Sequence, residues 1–112
     1  MKKAIVTGAT GNLGKAVVLG LLKQGYEVAG TGLMDEPLSG YSGTKIDLTN
    51  ESESGDWVRS NTEKGPVDTA ALTVGGFAMG DLSATNAAVI HDQIRLNFDT
   101  AFQVAAPLFQ HM

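Results

Sequence analysis

The feature that most constrains the fold is a glycine-rich octapeptide that separates a short apolar run from a helical pattern. Residues 4–6 are alanine, isoleucine and valine, and residues 7–14 read TGATGNLG. Apolar residues then recur at positions 13, 16, 17 and 21, the spacing of one helical face, and Gly25 stands where a left-handed C-terminal cap belongs. The order of strand, tight turn and helix predicts the first unit of a parallel sheet.

Three further strands and two further helices are predicted along the rest of the chain. We expect strands over residues 27–31, 44–48 and 67–74. A polar helix over residues 51–64, capped by Thr49 or Asn50 and anchored by Trp57, is expected to lie on the surface. Residues 75–80 are expected to form a loop before a long last helix, which Pro107 bends or ends. One stripe of this helix comprises Ile90, Ile94, Asn97, Phe98, Ala101, Phe102, Ala105 and Phe109.

This order of elements predicts an α/β fold. Connections too long for hairpins indicate a parallel sheet with right-handed crossovers. We therefore predict the N-terminal half of a Rossmann-type doubly wound parallel sheet, with strand order 3-2-1-4 in a three-layer α/β/α arrangement. Residues 1–112 are expected to form one domain that is incomplete at its C-terminus.

Composition and charge narrow the function classes. The formal net charge of -4 provides no positive field for nucleic acid or anionic lipid, so neither is expected as a partner. The sequence has no cysteine, which suits a reducing cytoplasm. Its N-terminal apolar run is too short for a signal peptide or a membrane span, so we expect a cytoplasmic protein.

The octapeptide has the properties of a phosphate-binding turn. Gly8 permits a tight turn, Gly11 allows the backbone to approach a pyrophosphate, and Gly14 allows close packing of helix on strand. The N–H groups and positive dipole end of the following helix then face the phosphates. Thr10 and Asn12 are candidates for additional side-chain bonds, and Leu13 belongs to the same segment. The alternative is a tight turn without a ligand.

The same octapeptide resembles the N-terminal signature of the short-chain dehydrogenase/reductase superfamily. Its glycine spacing is more usual in the extended and atypical branches than in the classical one. The resemblance implies an NAD(P)-dependent oxidoreductase, which transfers a hydride to or from a carbonyl, an alcohol or a pteridine-like substrate.

Two other segments resemble motifs of this family. Asp47 and Leu48 look like its pair beside the adenine ring, the alternative being a strand end with a helix-capping carboxylate. Residues 72–75 occupy the place of its Asn-Asn-Ala-Gly motif without either asparagine, which implies that Val74, Gly75 and Gly76 lie near the cofactor ribose. Residues 67–68 and 74–77 look closer to dihydropteridine-reductase-like members.

Asn97 is the candidate catalytic residue. An unpaired amide on an otherwise apolar stripe costs a few kcal/mol, so its side chain must find partners. One interpretation is a buried asparagine bonded to nearby backbone. The resemblance implies another, the family's active-site asparagine, which supports a proton-relay water near the catalytic lysine.

The resemblance implies that the remaining catalytic groups of the family, a serine and a Tyr-x-x-x-Lys motif, follow the next strand, beyond Met112. Tyr26 and Tyr41 are expected to be packing or surface residues, and His91 and His111 surface residues without a metal. We therefore expect these residues to be the cofactor-binding part of an oxidoreductase. The alternative is a non-catalytic NAD(P)-binding regulatory or assembly module.

Cofactor preference and association are the last expectations. An acidic residue that binds the adenosine ribose would be expected near position 32, where this sequence has Gly32 instead. Without a carboxylate there the 2′-phosphate of NADP is not repelled, so NADP is narrowly preferred over NAD. The outer edge of the fourth strand is expected to be unpaired, and Val104, Leu108 and Met112 lie beyond the main stripe of the last helix. We expect a homo-oligomer or association with a missing C-terminal half.

Overall fold

A computed structural model of the chain describes residues 1–75 and 81–112. Its four strands form one parallel sheet, and they are β1 (Lys3–Thr7), β2 (Glu27–Thr31), β3 (Tyr41–Thr44) and β4 (Thr69–Leu72). The helices are α1 (Asn12–Lys23), α2 (Glu51–Thr62), α3 (Ala87–Ile94) and α4 (Thr100–His111). A 3-10 turn, Leu82–Ala84, precedes α3, and a π-helical turn, Arg95–Asp99, joins α3 to α4. The strand order is β3-β2-β1-β4, which confirms the predicted topology.

Strand β1 forms the centre of the protein because its two faces belong to two different cores. Ala4 and Val6 pack with Val18 and other side chains of α1 on one face. Ile5 packs on the other face with side chains of α2 and α4, among them Trp57. Successive side chains of a strand point to opposite faces, so a continuous apolar run is buried on both sides. The three-layer arrangement is confirmed.

Helix α2 begins as its sequence predicts. The side chain of Asn50 accepts a 3.0 Å hydrogen bond from the backbone N–H of Glu53, so Asn50 is the N-cap. Trp57 is 4% exposed and anchors an otherwise polar helix on the core. The helix ends at Thr62, two residues before the predicted end.

Strands β3 and β4 differ from the prediction. The third strand lies at Tyr41–Thr44 instead of residues 44–48, because Tyr41 pairs with Val28 at the start of the β2–β3 ladder. The apolar residues at 46 and 48 still pack against the core, from the connection before α2. The fourth strand covers only Thr69–Leu72, the residues that align with Ala4 to Thr7 of β1.

The predicted orientation of the last helix is wrong. Its buried face consists of Thr100, Val104 and Leu108, which recur every four residues and pack toward α2 and the sheet. The predicted stripe faces outward, with Phe98 63% and Phe109 82% exposed. Pro107 lies inside α4 and does not end it. No helix in the described part of the chain is long and apolar enough to cross a membrane.

Candidate functional site

The glycine-rich loop joins β1 to α1 and is fixed by the end of β2. Gly8 has a φ of +68°, a conformation that favours glycine. Its N–H donates to Thr31 Oγ1 at 2.9 Å, and the N–H of Ala9 donates to the Thr31 carbonyl at 3.2 Å. The N–H of Gly11 donates back to the Gly8 carbonyl at 3.1 Å, which closes the turn.

Gly8 and Gly14 are both packed too tightly for a side chain. A Cβ on Gly14 would overlap the Gly8 carbonyl oxygen and stand 2.9 Å from Thr73 Oγ1. A Cβ on Gly8 would stand 2.7 Å from the same Thr73 oxygen. A Cβ on Gly11, by contrast, would meet only the Gly8 oxygen at 3.4 Å, an ordinary contact. The protein itself therefore leaves room at Gly11, on the outer side of the turn.

The first turn of α1 is exposed and has no side-chain cap among the described residues. Gly11 is the N-cap, and no side chain of the described residues forms a capping bond with the helix. The first N–H groups of a helix lack intrahelical partners, and the dipole adds positive charge there. Thr10, Gly11 and Asn12 are exposed, and Leu13, predicted on the core face, is 68% exposed. This helix end has the properties of an anion-binding site.

Thr73 ties the end of β4 to the start of this loop. Its hydroxyl donates a 2.6 Å hydrogen bond to the Thr7 carbonyl, and its backbone N–H donates to the same oxygen at 3.3 Å. Sequence reasoning gave Thr73 no role beyond its place in a motif without asparagines. The structure gives it a contact with both constrained glycines of the loop.

Gly75 and Asn97 lie side by side, although 22 positions separate them in the sequence. A Cβ on Gly75 would stand 2.9 Å from Asn97 Oδ1. Val74 is partly buried against the core, whereas Gly75 is exposed. The predicted site residue Gly76 lies outside the described residues.

Asn97 is exposed, so the interpretation of a buried asparagine is wrong, although its amide does bond nearby backbone. Its Nδ2 donates to the Gln93 carbonyl at 3.0 Å and to Gln93 Oε1 at 3.3 Å. Asn97 also lies in the π-helical turn between α3 and α4. Such turns are frequent at functional sites.

Asp47 and Leu48 lie in the connection between β3 and α2. The Asp47 carboxylate accepts hydrogen bonds from the hydroxyl of Thr49 at 2.5 Å and from its N–H at 3.0 Å. These bonds hold the pKa of Asp47 below its ordinary value, and the bond from the Thr49 hydroxyl has the larger effect. Leu48 is 7% exposed and belongs to the core beside Trp57. Only the Asp47 side chain is therefore accessible.

Gly32 directly follows β2 and contacts the glycine-rich loop. Its φ is +104°, and a Cβ there would stand 2.7 Å from Thr10 Cγ2. Its N–H donates to the Thr44 carbonyl at 2.8 Å, and its own carbonyl accepts from the Tyr41 hydroxyl at 2.8 Å. Sequence reasoning missed this contact of Tyr41, because the β3 register that places it is not a local property.

Tyr41 and Lys45 have the spacing of a Tyr-x-x-x-Lys motif but not its geometry. Tyr41 begins β3 and Lys45 follows its last residue. Four residues along a strand span about 13 Å, whereas in a helix they lie on one face. Burial raises the pKa of the Tyr41 hydroxyl, which opposes its ionisation. The pair does not form the family's catalytic arrangement.

A groove among the described residues lies away from this loop. It encloses about 920 Å³ between α2 and α4 and is lined by Glu51, Arg59, Phe102 and Gln103, among others. None of the predicted site residues lines it. The glycine loop is instead an open surface at the carboxyl ends of the strands, where ligands bind in sheets of this type.

Comparison with solved structures gives matches over almost the whole chain. ElxO with NADP bound has a TM-score of 0.90 and 22% identity, covering 99% of this chain and 50% of that one. The aldohexose dehydrogenase of Thermoplasma acidophilum, ligand-free, has a TM-score of 0.89 and 19% identity, covering 99% and 44%. A short-chain dehydrogenase/reductase from Serratia marcescens has a TM-score of 0.85 and 23% identity, covering 99% and 52%.

The chain thus spans about half the length of these neighbours, and identities this low show a shared fold. No curated protein matches the sequence. The sequence profile of the short chain dehydrogenase family matches residues 2–112. This match, together with the strand order and the glycine loop, shows that the chain belongs to the short-chain dehydrogenase family.

Proposed function

We propose that these residues bind NAD(P) for an oxidoreductase of the short-chain dehydrogenase/reductase type. The observation that carries the proposal is the α1 N-terminus, where an exposed first turn without a side-chain cap follows a loop whose glycines leave room only on the outer side. Family membership and the NADP held by ElxO support this cofactor class.

The fit of a dinucleotide follows from the positions of the loop residues. Thr10, Asn12 and Leu13 would hold the pyrophosphate through backbone N–H groups, and Gly11, whose own N–H is bonded to the Gly8 carbonyl, would let the backbone approach it. The close packing of Gly8 and Gly14 keeps the loop in place. Gly32 would lie beside the adenosine ribose, since it follows β2. When bound, the nicotinamide ring donates or accepts a hydride.

Other predicted residues complete the proposed site. Asp47 would face the adenine ring, with Leu48 supporting it from the core. Val74 and Gly75 would lie beside the nicotinamide ribose. Asn97, next to Gly75, would hold a proton-relay water. The family resemblance implies that a serine and a Tyr-x-x-x-Lys motif outside residues 1–112 supply the acid. Carbonyl, alcohol or pteridine-like compounds are the proposed substrates, and the cytoplasm is the proposed location.

Calorimetric titration with NADPH and NADH tests the proposal directly. The wild-type chain should bind at least one of them. Gly14→Ala places a methyl group on the Gly8 carbonyl and should lower the affinity at least about tenfold. Gly20→Ala is the matched control on the same helix, because nothing lies within 4 Å of its Cβ position, and its affinity should stay unchanged.

A second variant separates lost binding from lost folding. Gly11 has a φ of -74° and tolerates a side chain within the protein, so Gly11→Val should fold like the wild type. Its side chain would occupy the proposed approach of the pyrophosphate, and affinity should fall. Absence of binding by the wild type, or unchanged affinity in a folded Gly11→Val protein, would contradict the proposed site.

A further inference from the structure

Tyr41 lies across two glycines at the carboxyl end of the sheet. A Cβ on Gly30 would stand 2.7 Å from the Tyr41 hydroxyl, and a Cβ on Gly43 would stand 2.9 Å from Tyr41 Cε2. The ring therefore fills space that only glycine leaves open on neighbouring strands. It packs against the same core as α1.

The Tyr41 hydroxyl holds Gly32 at the end of β2. Its hydrogen bond to the Gly32 carbonyl is 2.8 Å long, and the Gly32 N–H is bonded to Thr44. Both backbone polar groups of Gly32 are thus engaged within the sheet end. The opposite side of Gly32 contacts the methyl group of Thr10 in the glycine-rich loop.

These contacts meet where the fold places the adenosine ribose. In doubly wound sheets the residue at the end of β2 interacts with the ribose 2′ position, and a carboxylate there favours a hydroxyl over a phosphate. A carbonyl oxygen has the same preference in weaker form, because it accepts from a hydroxyl and repels a phosphate. In a Gly32 carbonyl bonded to Tyr41, one of the two lone pairs is engaged, which weakens both interactions.

Resting on the proposed dinucleotide binding, we infer that Tyr41 is a positioning residue for cofactor specificity. It engages the Gly32 carbonyl and keeps Gly32 against Thr10, which weakens the repulsion of a 2′-phosphate by this carbonyl. Tyr41 does not touch the ligand and acts through Gly32.

The test compares Tyr41→Phe with Tyr26→Phe, the same chemical change in a second tyrosine of the same core. Affinities for 2′,5′-ADP and 5′-AMP are measured by calorimetry, and those for NADPH and NADH by fluorescence. Loss of one neutral hydrogen bond should lower 2′,5′-ADP affinity about three- to tenfold. Binding of 5′-AMP should stay within about twofold or strengthen, since the freed carbonyl accepts its 2′-hydroxyl. Tyr26→Phe should change neither.

A merely structural role would weaken both nucleotides equally, so an unchanged ratio of the two affinities overturns the inference. Thr10→Ser removes the methyl group that contacts Gly32 and should lower the ratio in the same direction. If Tyr41→Phe fails to fold, Thr10→Ser decides the question. An opposite or absent effect of Thr10→Ser on the ratio then overturns the inference. Failure of the wild type to bind any of the four compounds would overturn the proposed function instead.

Discussion

The hydroxyl of Thr73 donates a 2.6 Å hydrogen bond to the carbonyl of Thr7, from the end of β4 to the last residue of β1. Thr7 is 1% exposed, and Thr73 also touches the positions where Gly8 and Gly14 would carry a Cβ. One side chain therefore links the outer strand to the loop proposed to bind phosphate. Its removal should affect stability and loop position together.

We expect Thr73→Val to lower the free energy of unfolding by about 1 kcal/mol. The loss is modest because the Thr7 carbonyl keeps its bond from the Thr73 backbone. Urea denaturation measures the change, with Thr69→Val on the same strand as the control. Equal effects of the two variants would show that the hydroxyl bond contributes nothing specific.

A carboxylate beside Gly32 should reverse the expected preference for NADP. Leu33 is 63% exposed and follows Gly32, so Leu33→Asp places a negative charge near the proposed 2′ position. NADPH affinity should fall several-fold relative to NADH, while Leu33→Asn, the neutral isostere, should change the ratio little. Wild-type binding of NADH at least about tenfold tighter than NADPH would contradict the preference itself.

Asp47 should contribute to stability only while it is ionised. Its folded-state pKa is lowered by Thr49, so the contribution is present above the unfolded-state value, near 3.8, and is lost as the pH falls through the lower folded-state value. Asp47→Asn should therefore be less stable than the wild type at neutral pH and approach it in acid. Urea denaturation across this range measures the difference. The control is Asp35→Asn, and a difference that is constant with pH would refute the assignment.

The exposed apolar side chains of the last helix should cause association. Phe98 and Phe102 stack with ring centroids 6.0 Å apart on the outer face, and β4 has only β1 as a neighbour among the described strands. We expect dimers or larger species, which light scattering detects.

Phe98→Lys should reduce any self-association through this face, whereas Leu19→Lys on the exposed side of α1 should leave it unchanged. A wild-type monomer of 11.7 kDa at all concentrations, with cooperative unfolding, would contradict the expectation.

Features that depend on neighbouring residues were predictable from the sequence alone. The apolar run at 4–6, the glycine spacing at 8, 11 and 14, and the cap at Asn50 act within a few residues of themselves, and each is found in the structure. The α/β class followed from the order of such local units, because parallel strands need long crossovers. The proposal that this loop binds phosphate rests on the same local pattern.

Other features depend on which distant segments pack together, and only the tertiary structure decided them. The apolar residues of α4 are compatible with burial of either of two helix faces. Contact with α2 and the sheet selected the face of Val104 and Leu108. Asn97 was thereby left exposed beside Gly75. The register of β3 against β2 placed Tyr41 on Gly32. Such choices arise from the competition of long-range contacts for the same apolar surface, a competition that spacing along the chain does not reveal.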